Sequence, residues 1–181
     1  MPSFRRLSTP TRRNPIREMS RPIVNSVEVT SEDSDPPDWL PDLSSLVELT
    51  VKKLGRDRWD IGVFLCSDST IAGLNRQHRG RDEATDVLSF GREAGDESEV
   101  PDDVEEISGD IAISLESVIR NAEEFSVPEL EETVRVLVHG VMHLAGYEHP
   151  GVKLTAESAR DHAMLSLQEE IVTDLMKEKN G

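Results

Sequence analysis

Residues 136–149 read VLVHGVMHLAGYEH, and the fold and the chemistry of this chain are both decided there. His139 and His143 are four apart, so on a helix they project from one face about one turn from each other. Leu130, Val134, Leu137, Val141 and Leu144 recur at steps of four, three, four and three, a narrow apolar stripe on the other side. Pro128 stands just before that stripe, where its missing N–H costs nothing, and predicts the helix start. Gly146 can take the positive φ that ends a helix and turns the chain back. That turn can bring His149 towards His139 and His143, a His-x3-His-x5-His arrangement.

Neutral imidazole nitrogens suit zinc and neighbouring divalent transition metals. Three protein ligands leave a fourth tetrahedral position to water, the mark of a catalytic rather than a structural site. Bound Zn2+ lowers the pKa of that water to about 7. A lone helical histidine is ordinarily a satisfied surface or core side chain; three of the chain's five histidines gathered around a helix stop are not easily read that way. A zinc peptidase of the HExxH type would need a glutamate after the first histidine as its general base. That position is Gly140, which transfers no proton.

Away from this helix the pattern predicts one α/β (α+β) domain with about four strands and five helices. Apolar–polar alternation marks strands at 23–29, Trp59–Cys66 and Asp86–Phe90, and a brief one at Ile111–Ser114. Leu43, Leu46, Val47, Leu49 and Leu54 form one face of a helix that begins after Pro41 and stops at Gly55. Asp68 is a candidate cap for a short helix carrying Ile71 and Leu74. A helix around Val118 and Ala122 follows the fourth strand, and Met164, Leu167, Ile171 and Leu175 predict a last one over Ala156–Met176. Residues 91–108 read as an acidic loop. No glycine-rich phosphate loop is present, so no nucleotide cofactor is expected.

A chain of 181 residues supports one core without disulfides, and its single cysteine, Cys66, sits on an alternating strand and reads as core. One thiol fits a reducing compartment, so the protein is expected to be cytoplasmic. No apolar run is long enough to span a membrane. The formal charge of −16 argues against a polyanionic partner only on average. Residues 51–92 hold eight bases against six acids, whereas 93–132 hold fifteen acids and Arg120 alone, so a positive cleft can sit on an acidic body. Residues 1–22, with six Arg and one Glu and no apolar periodicity, read as a disordered basic tail. A start at Met19 is a further possibility for that segment, and both are favoured over an organelle-targeting peptide.

HGVMHLAGYEH resembles the HGxLHLxGYDH signature of the YbeY-type bacterial rRNA-maturation endoribonucleases. LNRQHRGRDEATDVLSF at 74–90 resembles that family's LNxxYRxxDxxTDVLSF block, SGDIAIS at 108–114 its GDI segment, and AMLSLQEEIV at 163–172 its closing helix. The resemblance covers most of 23–178 and implies a metal-bearing helix against a small mixed sheet. It further implies that residues 23–181 form a metal-dependent endoribonuclease domain, specific for single-stranded RNA, that acts in 16S rRNA maturation and ribosome quality control. Its partners would be single-stranded rRNA and the ribosome or small-subunit precursor.

The resemblance makes His139, His143 and His149 the metal ligands for one Zn2+ or a related ion. Arg79 becomes the functional arginine, stabilising the scissile phosphate with the metal-activated water. Arg76 and Arg81 could track the backbone beside it. Asp86 and Asp110 could orient ligand imidazoles or could pin the sheet. Met142, Glu148, His78 and Gly91 stand where Leu, Asp, Tyr and often Pro are usual; His78 could touch substrate. His162 reads as structural. A ribosome-assembly binding factor with a structural metal site, and more distantly a metal-dependent peptidase, are the alternatives.

Overall fold

The strictly alternating stretch around Trp59–Cys66 becomes an inner strand of a mixed sheet. The computed structural model describes residues 25–91, 106–147 and 163–180. Its elements are β1 Ser26–Ser31, α1 Asp42–Lys53, β2 Arg58–Cys66, α2 Asp68–Arg79, β3 Val87–Gly91, β4 Glu106–Ser114, α3 Leu115–Phe125, α4 Glu129–Leu144 and α5 Ala163–Asn180. The strand order is β1-β2-β4-β3, with β1 and β4 parallel to β2 and β3 antiparallel to β4. These four strands and five helices form the expected single α/β (α+β) domain. The predicted tail at 1–22, residues 23 and 24 of the first strand, most of the acidic loop and residues 156–162 of the last helix lie outside the described residues.

Alternation assigns the two sheet faces. Trp59, Ile61, Val63 and Leu65 of β2 join Ile107, Ile111 and Ile113 of β4 on one face, in the main core with α1, α3, α4 and α5. Cys66 and Ala112 turn to the other face, where they meet Leu88 of β3 and Ile71 of α2 in a smaller core. Thus, among the described residues, α2 covers the second face, while α4 runs through the middle of the first.

Two local expectations are corrected. Strand β4 is nine residues long rather than the brief run Ile111–Ser114, so its start belongs to the sheet and not to the acidic loop. Ile107 is buried there, and Gly109 lies so close to Phe90 and Leu144 that a Cβ would fall 2.5 Å from the Phe90 carbonyl oxygen and 2.6 Å from Leu144 Cδ2. Segments tailored to such close approach do not display alternation. The cap of α2 is Ser67, whose Oγ accepts from the Thr70 amide, not Asp68. Asp68 is claimed elsewhere: its Oδ1 accepts from Ser114 Oγ at 2.6 Å and Ser117 Oγ at 2.7 Å, and its Oδ2 lies 2.7 Å from Arg120 Nη1. Chiefly the Arg120 hydrogen bond, opposed by some burial and helped by the two serines, holds the Asp68 carboxyl down at about 2. This cluster joins the starts of α2 and α3.

Candidate metal centre

The helix that carries the imidazoles is buried far beyond the narrow stripe its spacing suggested. Besides Val134, Leu137 and Val141, the residues Thr133, Val136, Val138 and Met142 are buried, because α1, α3 and α5 surround α4 on the sheet. Gly140 explains how it seats there. A Cβ at this position would lie 2.9 Å from Ile111 Cγ2 and 3.3 Å from Ser89 Oγ, and that hydroxyl donates to the Gly140 carbonyl oxygen at 3.3 Å. Position 140 therefore has no room for the glutamate that a peptidase mechanism needs. At the other end Gly146, with φ 85°, follows the cap residue Ala145. Its amide donates to the His143 carbonyl and the Tyr147 amide to the Met142 carbonyl, a Schellman closure.

Within this frame His139 and His143 meet. Their Nε2 atoms are 3.0 Å apart and the rings are close to perpendicular, with centroids 4.5 Å apart. Nδ1 of His139 lies 2.8 Å from Oε1 of Gln168, a residue of α5 that is only 5% exposed. An amide oxygen accepts and does not donate, so Nδ1 of His139 carries the proton and Nε2 of the neutral ring keeps its lone pair towards His143. Gln168 is kept in place by its neighbour: Glu169 accepts from Arg135 Nε at 2.9 Å, one turn before His139 on α4. Two tetrahedral ligands at ~2.0–2.1 Å from one ion stand about 3.3–3.4 Å apart. The observed separation falls a few tenths short of that, and one proton or one cation satisfies both lone pairs. The pair fits a divalent metal. The third predicted ligand, His149, lies outside the described residues, as does His162.

Arg79 ends α2, exposed, and its guanidinium makes no ion pair or hydrogen bond to a described residue. It stands over the opposite sheet face from the imidazoles but at the same end. His78 contacts Phe90 of β3, Gly91 pairs with Gly109, and Leu144 of α4 covers Gly109 from the other side. The β3 edge thus lies between the end of α2, which carries the arginine, and the end of α4, which carries the histidines. Asp86 pins the sheet: its Oδ1 accepts from the Val87 amide at 2.8 Å and its Oδ2 from Asn121 Nδ2 at 3.3 Å, tying β3 to α3. Asp110 is exposed opposite Phe90 on the α2 face, turned away from α4. A contact to Nδ1 of His139 comes from Gln168. Sequence reasoning missed it because the two residues are 29 apart and nothing local marks the meeting. Burial, with the charges of Glu32 and Asp68, pushes the Cys66 thiol up to about 12, as suits a core residue.

The geometry has counterparts. The solution structure of TM1509 from Thermotoga maritima superposes with a TM-score of 0.55 at 28% identity, covering 86% of this chain and 92% of that one. A protein of Treponema denticola described as endoribonuclease YbeY is 39% identical over 160 residues, 87% of this chain and 96% of its own. Its counterpart from Treponema pallidum (strain Nichols), with the same description, is 38% identical over 152 residues, 82% of this chain and 89% of its own. The profile of the family described as endoribonuclease YbeY matches residues 27–176, which take in every helix and strand named above except the ends of β1 and α5. With the imidazole pair and the glycine-seated helix inside that span, the chain belongs to the YbeY endoribonuclease family, whose members are hydrolases.

Proposed function

We propose that this chain is a metal-dependent endoribonuclease that cuts single-stranded RNA during 16S rRNA maturation and ribosome quality control in the cytoplasm. One observation carries the reading: in a chain of this family, two imidazoles present Nε2 atoms to a common point 3.0 Å across, with the tautomer of one set by a buried amide. His139 and His143, with His149 as third ligand, would hold the ion. A divalent transition metal such as Zn2+ supplies Lewis acidity and acidifies a water when bound there.

The chain's own residues do the rest. Gln168 holds the Nδ1 proton of His139, which keeps Nε2 basic. Gly140 lets α4 lie close against Ile111 and Ser89, which sets how near both imidazoles sit to the sheet. Cleaving a phosphodiester builds charge on its non-bridging oxygens, and a guanidinium matches that charge in shape and sign. Arg79, unengaged by any described side chain, takes this part. Arg81 follows the RNA backbone beside it, whereas Arg76 is already paired with Asp82 at 3.2 Å.

The test is incubation of purified protein with single-stranded rRNA fragments and a peptide library, with and without a chelator. RNA cleavage is expected to stop with chelator and in His143→Ala. Arg79→Ala is expected to lower turnover about a hundredfold with metal content unchanged, the scale of losing one charge-stabilising donor. Cleavage indifferent to chelator and to His143→Ala, or cleavage of peptides alone, would overturn the reading. RNA binding without cleavage in any metal would favour an assembly factor.

A further inference from the structure

The end of α2 presents more than one arginine. Its last turn reads Arg76-Gln77-His78-Arg79, Gly80 closes it with φ 69°, and Arg81 follows. On a chain of net charge −16, three arginines within six residues and no acid among them form a local landing point for a polyanion. Basic residues at a helix C-terminus ordinarily complement its dipole, and Arg76 is occupied by Asp82. The guanidinium groups of Arg79 and Arg81 have no such partner among the described residues.

Next to Arg79 in the same turn stands an exposed aromatic ring. The imidazole of His78 tilts against Phe90 with centroids 4.9 Å apart at 57°. Phe90 is half-buried and packs into the small core with Ile71 and Leu88, so its ring anchors that of His78. The turn beyond is ordered as well. Asn75, 4% exposed, donates from Nδ2 to the Glu83 carbonyl at 2.9 Å, and its own carbonyl accepts from the Arg81 amide at 3.4 Å.

An exposed ring in the same turn as unengaged guanidinium groups is the combination by which single-stranded nucleic acid is held without sequence reading: each base offers a π-face and each phosphate a charge. We propose that His78, backed by Phe90, is a base-stacking subsite, with Arg79 and Arg81 on the phosphates to either side of the stacked nucleotide. Arg79 serves the scissile phosphate in both readings, so the stacked nucleotide is the one that borders the cleaved bond, at the β3 edge where His78 meets Phe90. Paired bases offer no free face there, which accounts for a preference for single strands. This inference rests on the endoribonuclease reading.

The experiment measures binding of a short labelled 2′-O-methyl single strand, which resists cleavage, and of the same strand made abasic throughout. Wild type, His78→Ala, His78→Tyr and Arg81→Gln are compared, with cleavage of the unmodified RNA by wild type followed in parallel. His78→Ala is expected to weaken the base-bearing strand about tenfold and leave the abasic strand unchanged, and His78→Tyr to restore binding. Arg81→Gln is expected to weaken both strands and lower the slope of log affinity against log salt by about one. If wild type cleaves RNA but His78→Ala binds the base-bearing strand as tightly as wild type, or loses both strands equally, the stacking subsite is wrong and the nuclease reading stands. If wild type neither binds nor cleaves RNA but takes up an acidic peptide, both readings fall.

Discussion

Replacing Gln168 by leucine removes one acceptor from the centre while keeping a side chain of similar size. The oxygen lost is 2.8 Å from His139 Nδ1, on a residue 5% exposed, so water does not readily take its place. Leaving a buried N–H without a partner costs about 1–3 kcal/mol. A neutral ring can avoid that cost by moving its proton to Nε2, but Nε2 is the atom that faces His143 and must be bare to bind an ion. The penalty therefore surfaces when metal binds rather than when the chain folds. Zn2+ affinity is expected to fall about 10–100-fold in Gln168→Leu. Folding stability is expected to change by less than ~1 kcal/mol, because the leucine buries apolar surface where an amide stood. Gln168→Glu keeps an acceptor in place and is expected to retain affinity. Competition of the apo-protein against a chromophoric chelator gives the affinity, and urea unfolding of the same samples gives the stability. A leucine variant that binds Zn2+ as tightly as wild type would show that the His139 contact does not orient the ligand.

Gly140→Ala gains ~1 kcal/mol of helix propensity but forces a methyl to within 2.9 Å of Ile111 Cγ2, an overpacking cost of ~1–3 kcal/mol. A lower urea midpoint with unchanged slope is expected, and a raised midpoint would contradict the close approach. Asp68, held at about 2 against an ordinary 3.8, contributes stability that is complete above pH 3.8 and disappears as pH falls from there to about 2. Because Arg120 is 57% exposed, the contribution is discounted to ~1–2 kcal/mol. Asp68→Asn should lose that amount at neutral pH and flatten the acid limb of the stability curve; a limb as steep as that of wild type would count against the network. Cys66, pushed up to about 12 by burial first, is expected to resist alkylation at neutral pH until denaturant is added, and rapid labelling of native protein would refute its placement.

The elements legible beforehand were those whose signals are local. His139 and His143 announce their shared face by spacing alone, and Gly146 announces the stop, because both depend on neighbours within a turn. What escaped depends on distant segments. Ser67 and Asp68 are both good caps, and only the arrival of Ser114, Ser117 and Arg120 decides between them. The first half of β4 hides because Gly109 is selected for contact with Leu144 and the Phe90 carbonyl, not for strand propensity. The missing base at Gly140 is visible in the sequence, but not that Ile111 and Ser89 crowd the position. The amide that meets His139 comes from the last helix, 29 residues on, where no local pattern marks it.

The placement of α4 has a consequence for how the protein comes apart. Helices α1, α3 and α5 and strands β3 and β4 all touch it, so its middle turns, Val136–Val138 and Gly140–Met142 above all, are buried and little able to fray. Local opening elsewhere, at the α2 turn, leaves this helix untouched. The amides of residues 136–142 should be among the slowest to exchange for deuterium, released only when the whole domain opens. The meeting of His139 and His143 is then inherited from global cooperativity, since the pair stays together until the helix that carries both opens.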